Sequence, residues 1–286
     1  VVISKKEKLK NLLIYDAINK ILVKNKVLAP NLLSENYINN YIEINDFGDQ
    51  TLFQILKNKK KNKYIIFKKI IKILNKLQLI KDKKVKNFQN KIYKVQEYNN
   101  KILFDECKLF CDWYAPKILS KLKTIKFKKE FKLEIKNLLS KLNYKNVTFV
   151  HRDFHVSNLM YHNKTVAVID SQDALIGNRA YDLASLIDDV RLKTSNELKE
   201  KLFTFYIKTN KKIDEKKFKK DFEILSVLRN LKIIGIFMRL AVRDNKNKYL
   251  KFIPYAWEMI NHRIKEQNEL NNLMLLLKNN FPKFIR

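Results

Sequence analysis

The sequence predicts an α+β protein with a small α/β portion at its start and a larger, mainly helical remainder. Three observations predict this. Apolar residues recur at helical spacing over long stretches, as in Leu9, Leu12, Leu13, Ala17 and Ile21, which marks a helix face turned toward a core. Short β-branched and aromatic runs stand at residues 1–4, 37–44, 147–150 and 165–169, and each has the length of a buried strand. The 286 residues contain only three glycines and four prolines, so long helices are expected to outweigh tight turns.

Each element has a local reason. A strand at 1–4 leads into a helix over 7–24, which ends near residues 24–26 ahead of Pro30. Glu7 either caps the first turn of that helix, the favoured reading, or pairs with Lys5 or Lys6. The strand at 37–44 runs into Asn45-Asp46-Phe47-Gly48-Asp49. Gly48 permits a positive φ there, and Asp49 is placed to cap a helix over 52–56. A helix over 64–80 alternates lysine pairs with Ile and Leu, residues 81–99 are polar and irregular, and helical patterns return at 100–121 and 127–142. Strand 147–150, a polar loop at 151–158 and strand 165–169 then form a hairpin-like unit closing on Asp170. Tyr181, Leu183, Ala184, Leu186 and Ile187 open another helix. Residues 194–286 read as helical throughout, with 231–241 a buried core helix on which Arg239 and Arg243 share a face.

The chemistry concentrates at 147–183. His151-Arg152-Asp153 followed by Asn158 satisfies H-R-D-x-x-x-x-N, the catalytic loop of kinase-like phosphotransferases. With Asp170 at the end of the next strand, three oxygen-bearing side chains converge, which suits Mg2+ and a phosphoryl donor. In that reading Asp153 accepts the proton of the attacking hydroxyl, while Asn158 and Asp170 hold Mg2+ on the phosphates of ATP. The bland reading is a polar loop whose Asp and Asn cap turns. Ser171-Gln172-Asp173 follows Asp170, and a helix begins a few residues later. No room remains for a long activation segment, so the expected acceptor is a small molecule rather than a protein. His155 is either a substrate contact or a residue that packs the loop. Asp173 is placed to bind substrate hydroxyls or to assist the metal.

Residues 151–160, 168–174 and 181–186, together with Arg239-Leu-Ala-Val-Arg243-Asp244, resemble the aminoglycoside phosphotransferase-like family. Within it they are most similar to the bacterial N-acetylmuramate/N-acetylglucosamine anomeric kinases of cell-wall recycling. The resemblance implies a protein-kinase-like bilobal fold. Residues 1–47 would be the remainder of the N-terminal nucleotide-binding lobe and hinge, and residues 48–286 the helical lobe with the catalytic loop and acceptor site. It implies MgATP-dependent transfer to the anomeric hydroxyl of the amino sugar. Glu43, Ile44, Asn45 and Asp46 resemble the hinge whose backbone pairs with adenine, with Asn45 where the family has Glu; a plain strand-to-helix turn accounts for the same residues. The resemblance also implies that Asp182 braces Arg152 by an ion pair, the alternative being a carboxylate that serves its own helix dipole. Arg243 would meet a carboxylate or phosphate of the substrate. The family's Gly-rich phosphate loop is not in the sequence, so the chain is expected to be an N-terminally truncated form of a longer protein. The phosphate-anchoring lysine is open between Lys5 and Lys6.

The net charge of +31, from 60 basic and 29 acidic residues, taken alone suggests a nucleic-acid partner. The basic residues are mostly lysines scattered along the chain, however, which reads as solvated helix faces. The densest cluster, at 57–63, falls where two helices are expected to meet, and a nucleic-acid partner is not expected. Cys107 and Cys111, four apart, share a helix face; with no histidine nearby in sequence they read as packed thiols rather than metal ligands. No apolar run of membrane-spanning length and no signal-peptide pattern is present, so the expected location is cytoplasmic. Two alternatives stand beside the sugar-kinase reading. One is a phosphotransferase for an aminoglycoside, choline or homoserine, although a cationic acceptor calls for an acidic pocket. The other is a non-catalytic basic binding protein or inactive kinase relative, against which the intact Asp153, Asn158 and Asp170 argue.

Overall fold

A computed structural model describes residues 1–57 and 62–285. Residues 58–61 of the lysine cluster at 57–63 therefore lie outside the described residues. The first part of the chain forms β1 (Val2–Ile3), α1 (Lys10–Lys24), β2 (Leu32–Asn36), β3 (Tyr41–Ile44), α2 (Leu52–Lys57), α3 (Lys63–Gln78), β4 (Lys84–Lys86) and β5 (Ile92–Lys94). Then come α4 (Asn100–Cys107), α5 (Ala115–Ile118), α6 (Lys121–Ser140), β6 (Thr148–Val150), β7 (Leu159–His162), β8 (Thr165–Val168) and β9 (Leu175–Gly177). The last part holds α7 (Ala180–Ile187), α8 (Asn196–Thr209), α9 (Glu215–Asp244), α10 (Ile253–Glu266) and α11 (Asn271–Asn280). The chain divides into two compact units, each drawn from several stretches: residues 1–97, 146–187 and 194–211, and residues 98–145, 188–193 and 212–286.

In the first unit β3 is the middle strand of an antiparallel sheet ordered β1-β3-β2. Ile42 of β3 packs with Leu12 and Tyr15 of α1, and Val2, Leu32 and Ile44 close around them. Burying the sheet face under α1 is what fixes that helix. The strand expected over 37–44 is shorter, because residues 37–40 form the turn from β2, with Asn40 at φ 64°. At the start of α1, Lys6–Lys8 is a separate 3-10 turn and no side chain caps the helix, so Glu7 is not its cap. The cap of α2 is likewise reassigned from Asp49. Gln54 Oε1 accepts the Thr51 N–H at 2.8 Å and Thr51 Oγ1 accepts the Gln54 N–H at 3.2 Å, a reciprocal capping box.

The strands at 147–150 and 165–169 do not pair with each other. β8 pairs with β7 and β6 pairs with β9, both antiparallel. The β7–β8 connection is Asn163-Lys164, at φ 47° and 61°. Two left-handed residues make a type I′ turn, whose twist matches that of the strands it joins. Phe47, beyond β3, packs with Met160 of β7 and Ala167 of β8, flanked by Leu28 and Ile169; this cluster ties the turn after β3 to the β7–β8 hairpin. Residues 84–94, expected as irregular, contain the small β4–β5 ribbon.

The second unit is organised on α9, whose stretch from Phe222 to Gly235 is buried on every face. The cluster Phe110, Tyr114, Phe127, Trp257 and Phe281 packs ring against ring, and Trp257 Nε1–H donates to Tyr114 Oη at 3.2 Å. Arg263 donates to both oxygens of Asp188, at 2.8 and 3.1 Å, with both side chains buried; a charge removed from water needs such a partner. Cys107 and Cys111 are free and buried, and burial pushes both thiols up in pKa, as packed, unreactive thiols require. Among the described residues no helix is long and apolar enough to cross a membrane.

Candidate active site

The site is built at the ends of β6 and β8 in the first unit. β6 delivers His151, which is fully buried, and its Nε2–H donates to the Ile169 carbonyl at 3.1 Å. A carbonyl only accepts, so that nitrogen carries the proton. Burial lowers the pKa of His151 and outweighs the opposing pull of Asp153 and Asp170, so the ring is neutral and ties the loop to the end of β8. Phe154 and Val156 are fully buried beneath the loop. They anchor it from below, while Arg152 takes the left-handed region at φ 76°. Non-glycine residues reach that region when surroundings hold them there.

Asp182, in the first turn of α7, supplies much of that hold. Its carboxylate accepts the backbone N–H of His151 at 2.7 Å and of Arg152 at 3.0 Å. The expectation for Asp182 is an ion pair to Arg152; these bonds run to the main chain of the loop. The Arg152 guanidinium lies 3.7 Å from the Asp173 carboxylate and donates to the Asp173 carbonyl at 3.4 Å. Asp173 is exposed, and His155 is buried in the loop turn, its N–H donating to the Asp153 carbonyl at 3.0 Å.

Asn158 joins the two ends. Its Nδ2–H group donates to the Asp153 carbonyl and to Asp170 Oδ2, both at 3.2 Å, and its own carbonyl accepts the Ile169 N–H at 3.1 Å. Gln172 Nε2–H donates to Asp170 Oδ1 at 2.9 Å, a contact the sequence did not suggest. Asp170 itself is exposed and sits at φ 61°. The Asn158 side chain is therefore bonded to the Asp153 main chain and to the Asp170 carboxylate.

Asp170, Asn158 and Gln172 line a cavity of about 520 Å³, which Lys5, Lys8 and Tyr15 also line. Two lysines, a carboxylate and an amide thus border the same cavity. Among the described residues no group of three or more His, Cys, Asp or Glu gathers around a metal position. The Asp170 carboxylate, with the Asn158 side-chain amide beside it, is instead a sparse set of the kind that suits Mg2+ when phosphates and water complete its shell. The donors present fit that ion.

The residues expected at a hinge are held by the sheet edge. The Ser34 hydroxyl donates to Glu43 Oε2 at 2.6 Å, Ile44 pairs with Leu32, and Asn45 exchanges two hydrogen bonds with the Asn31 backbone, each 3.1 Å. Asp46 Oδ1 accepts the Gly48 N–H at 2.8 Å, with Gly48 at φ 78°, the turn that glycine permits. Arg243, in the second unit, is exposed and forks onto its neighbour Asp244 at 2.7 and 2.9 Å.

A loop of this spacing tied to Asp170, in a unit that also holds a three-stranded sheet and α1, is the arrangement of a kinase-like phosphotransferase fold. The fold recurs in an ADP-bound aminoglycoside phosphotransferase, with TM-score 0.58, 18% identity, and 90% of this chain and 86% of that one covered. It recurs also in a choline/ethanolamine kinase family protein from Mesorhizobium loti, with TM-score 0.61, 12% identity, and 95% and 83% covered. Residues 42–215 match the phosphotransferase enzyme family, and the chain belongs to it. It is 34% identical over 189 residues to the N-acetylmuramate/N-acetylglucosamine kinase of Neisseria meningitidis, covering 63% of this chain and 56% of that protein. Against the kinase of the same name from Pseudomonas aeruginosa it is 27% identical over 261 residues, covering 88% and 73%. The chain thus spans little more than half of the Neisseria relative and about three quarters of the Pseudomonas one.

Proposed function

We propose that this chain is a MgATP-dependent kinase that transfers the γ-phosphoryl group to the anomeric hydroxyl of N-acetylmuramate or N-acetylglucosamine. The observation that carries the reading is Asn158, whose amide links the Asp153 main chain to the Asp170 carboxylate at a cavity that Lys5 and Lys8 also line. The relatives' names support the amino-sugar acceptor. Residues 1–47 would contribute the nucleotide-binding portion with its hinge at 43–46, and residues 48–286 the catalytic loop and acceptor site. A chain using ATP in this way would work in the cytoplasm.

Phosphoryl transfer asks the protein mainly for positioning and charge neutralisation. Lys5 and Lys8 would face the phosphates, and Asp170 and Asn158 would hold Mg2+, which supplies neutralising charge when bound. Asp153 would accept the hydroxyl proton. An anomeric hydroxyl is more acidic than an ordinary alcohol, which eases that transfer. The test is phosphate transfer from MgATP to N-acetylmuramate by the full-length protein, beside Asp153→Asn. Formation of the 1-phosphate by wild type, with the variant slower by about 10²-fold or more, is the expected result. A wild type inert on both amino sugars would overturn the acceptor assignment.

A further inference from the structure

Asp170 must keep an unusual backbone conformation to present its carboxylate, and the residues on both sides of it are tied down. On the preceding side, the Ile169 N–H donates to the Asn158 carbonyl at 3.1 Å. On the following side, Ser171 is fully buried, and its hydroxyl donates to Asn19 Oδ1 at 2.6 Å. Asn19 is 3% exposed and belongs to α1, 152 positions away in sequence. The Ser171 carbonyl accepts the Ala174 N–H at 3.0 Å, so the serine is held by both its main chain and its side chain.

Packing alone does not call for this pair. Alanine or valine would fill a fully buried position at least as well, and burying a hydroxyl and an amide is unfavourable unless they are bonded. What the hydrogen bond adds is direction: it fixes Ser171, and through one peptide unit the left-handed φ of Asp170. The other end of the bond is equally placed. One turn before Asn19, Tyr15 lines the cavity that Asp170 also lines. Burial raises the pKa of the Tyr15 hydroxyl, neighbouring Asn19 opposes the rise, and the Asp170 carboxylate adds to it, which sets these groups within electrostatic reach of one another. α1 therefore both walls the cavity and grips the residue after Asp170.

We propose that the Ser171–Asn19 hydrogen bond is a positioning device through which α1 fixes Asp170 in its magnesium-holding conformation. It rests on the reading of Asp170 as a magnesium ligand, and it assigns Asn19 and Ser171 as positioning residues.

The experiment measures thermal stabilisation of the full-length protein by ADP as Mg2+ is titrated, for wild type, Ser171→Ala and Ser171→Thr. It needs no acceptor and no turnover. The inference expects Ser171→Ala to raise the half-saturating Mg2+ concentration several-fold, and Ser171→Thr, which keeps the hydroxyl, to remain within about twofold of wild type. A lower melting temperature in metal-free Ser171→Ala with an unchanged Mg2+ requirement would show the bond to be structural only and would overturn the inference. A wild type that gains no stability from Mg·ADP overturns it together with the nucleotide reading, and the two failures are thereby told apart. Should Ser171→Ala not fold, Ser171→Cys keeps a donor at the same position, weaker and slightly larger, and a smaller rise in the Mg2+ requirement is expected.

Discussion

Asp182 holds Arg152 by its main chain: Oδ1 accepts the Arg152 N–H at 3.0 Å while Oδ2 accepts the N–H of His151 at 2.7 Å. The carboxylate is fully buried and stands in the first turn of α7, so it also meets the positive end of its own helix. The sequence offered an ion pair to Arg152 or a carboxylate serving its own helix; the bonds to the loop's main-chain N–H groups are a third contact it did not suggest. Asp182→Asn replaces one acceptor with an NH2 group that opposes a backbone donor. Leaving that donor unbonded costs about 1–3 kcal/mol, and Arg152 loses support for its left-handed φ. Chemical denaturation should show this loss of stability, and phosphoryl transfer should fall by on the order of 10²-fold. A variant as stable and active as wild type would mean that the loop is held elsewhere.

Asp153 and Asp170 should separate in what they lose. Asp170→Asn keeps the shape and removes the charge meant for the cation, so stabilisation by Mg·ADP in a thermal shift should disappear. Asp153→Asn should retain that stabilisation while transfer drops by about 10²–10⁴-fold, the usual worth of a positioned general base. Equal loss of Mg·ADP stabilisation in both variants would contradict the division of roles.

The candidate site was legible because most of it is local in sequence: His151, Arg152, Asp153 and Asn158 lie in one stretch, and Asp170 follows the end of apolar β8 by two residues. The supports were not legible. Ser171 and Asn19 are 152 positions apart, and neither stands out by residue type. Lys199 is fully buried with its ammonium on the Ile187 carbonyl at 2.8 Å, yet in a chain with 60 Lys and Arg nothing marks it. Strand pairing failed for a different reason. β7 has four residues and continues directly from the loop turn, β4 and β5 have three each, and alternation needs more positions than that to show. Thr51 and Gln54 did carry a readable capping-box spacing, which the nearby Asp49 obscured.

Glu223 should give stability a pH dependence of known sign. It is buried on α9, and burial raises its carboxyl to about 7 against the pull of Lys219 and Arg263, with Glu266 adding to the rise; Gln267 Nε2–H donates to it at 3.2 Å. The folded pKa lies above the unfolded value of about 4.5, so the folded state binds the extra proton. The contribution to stability is full below the unfolded pKa, declines as pH rises toward 7, and is flat above. Glu223→Gln mimics the protonated form. Its stability relative to wild type should therefore grow between pH 5 and 7.5, by on the order of 1–3 kcal/mol in all, and then stay constant. Paired denaturation curves across that range measure it, and a difference independent of pH would refute the assignment.

Gly235 of α9 lies directly against the backbone at Leu109 and Phe110 in the second unit. A Cβ built there would lie 2.3 Å from the Leu109 carbonyl carbon, 2.5 Å from its oxygen and 2.5 Å from the Phe110 nitrogen. These are main-chain atoms at the entry to the π-helical turn Phe110–Tyr114, whose rings form the aromatic core. They have no rotamer to change, so α9 or the turn must shift as a body. Helix propensity argues the other way, since alanine in a helix interior is favoured over glycine by about 1 kcal/mol. Overpacking of a filled core costs about 1–3 kcal/mol, occasionally more, and here the clash is with backbone, so steric repulsion should win. Gly235→Ala is expected to lower the melting temperature by several degrees and to reduce soluble yield. The magnitude of Mg·ADP stabilisation in the folded fraction should not change, because the cavity at Asp170 lies in the other unit. A stabilised Gly235→Ala protein would show that propensity outweighs the contact.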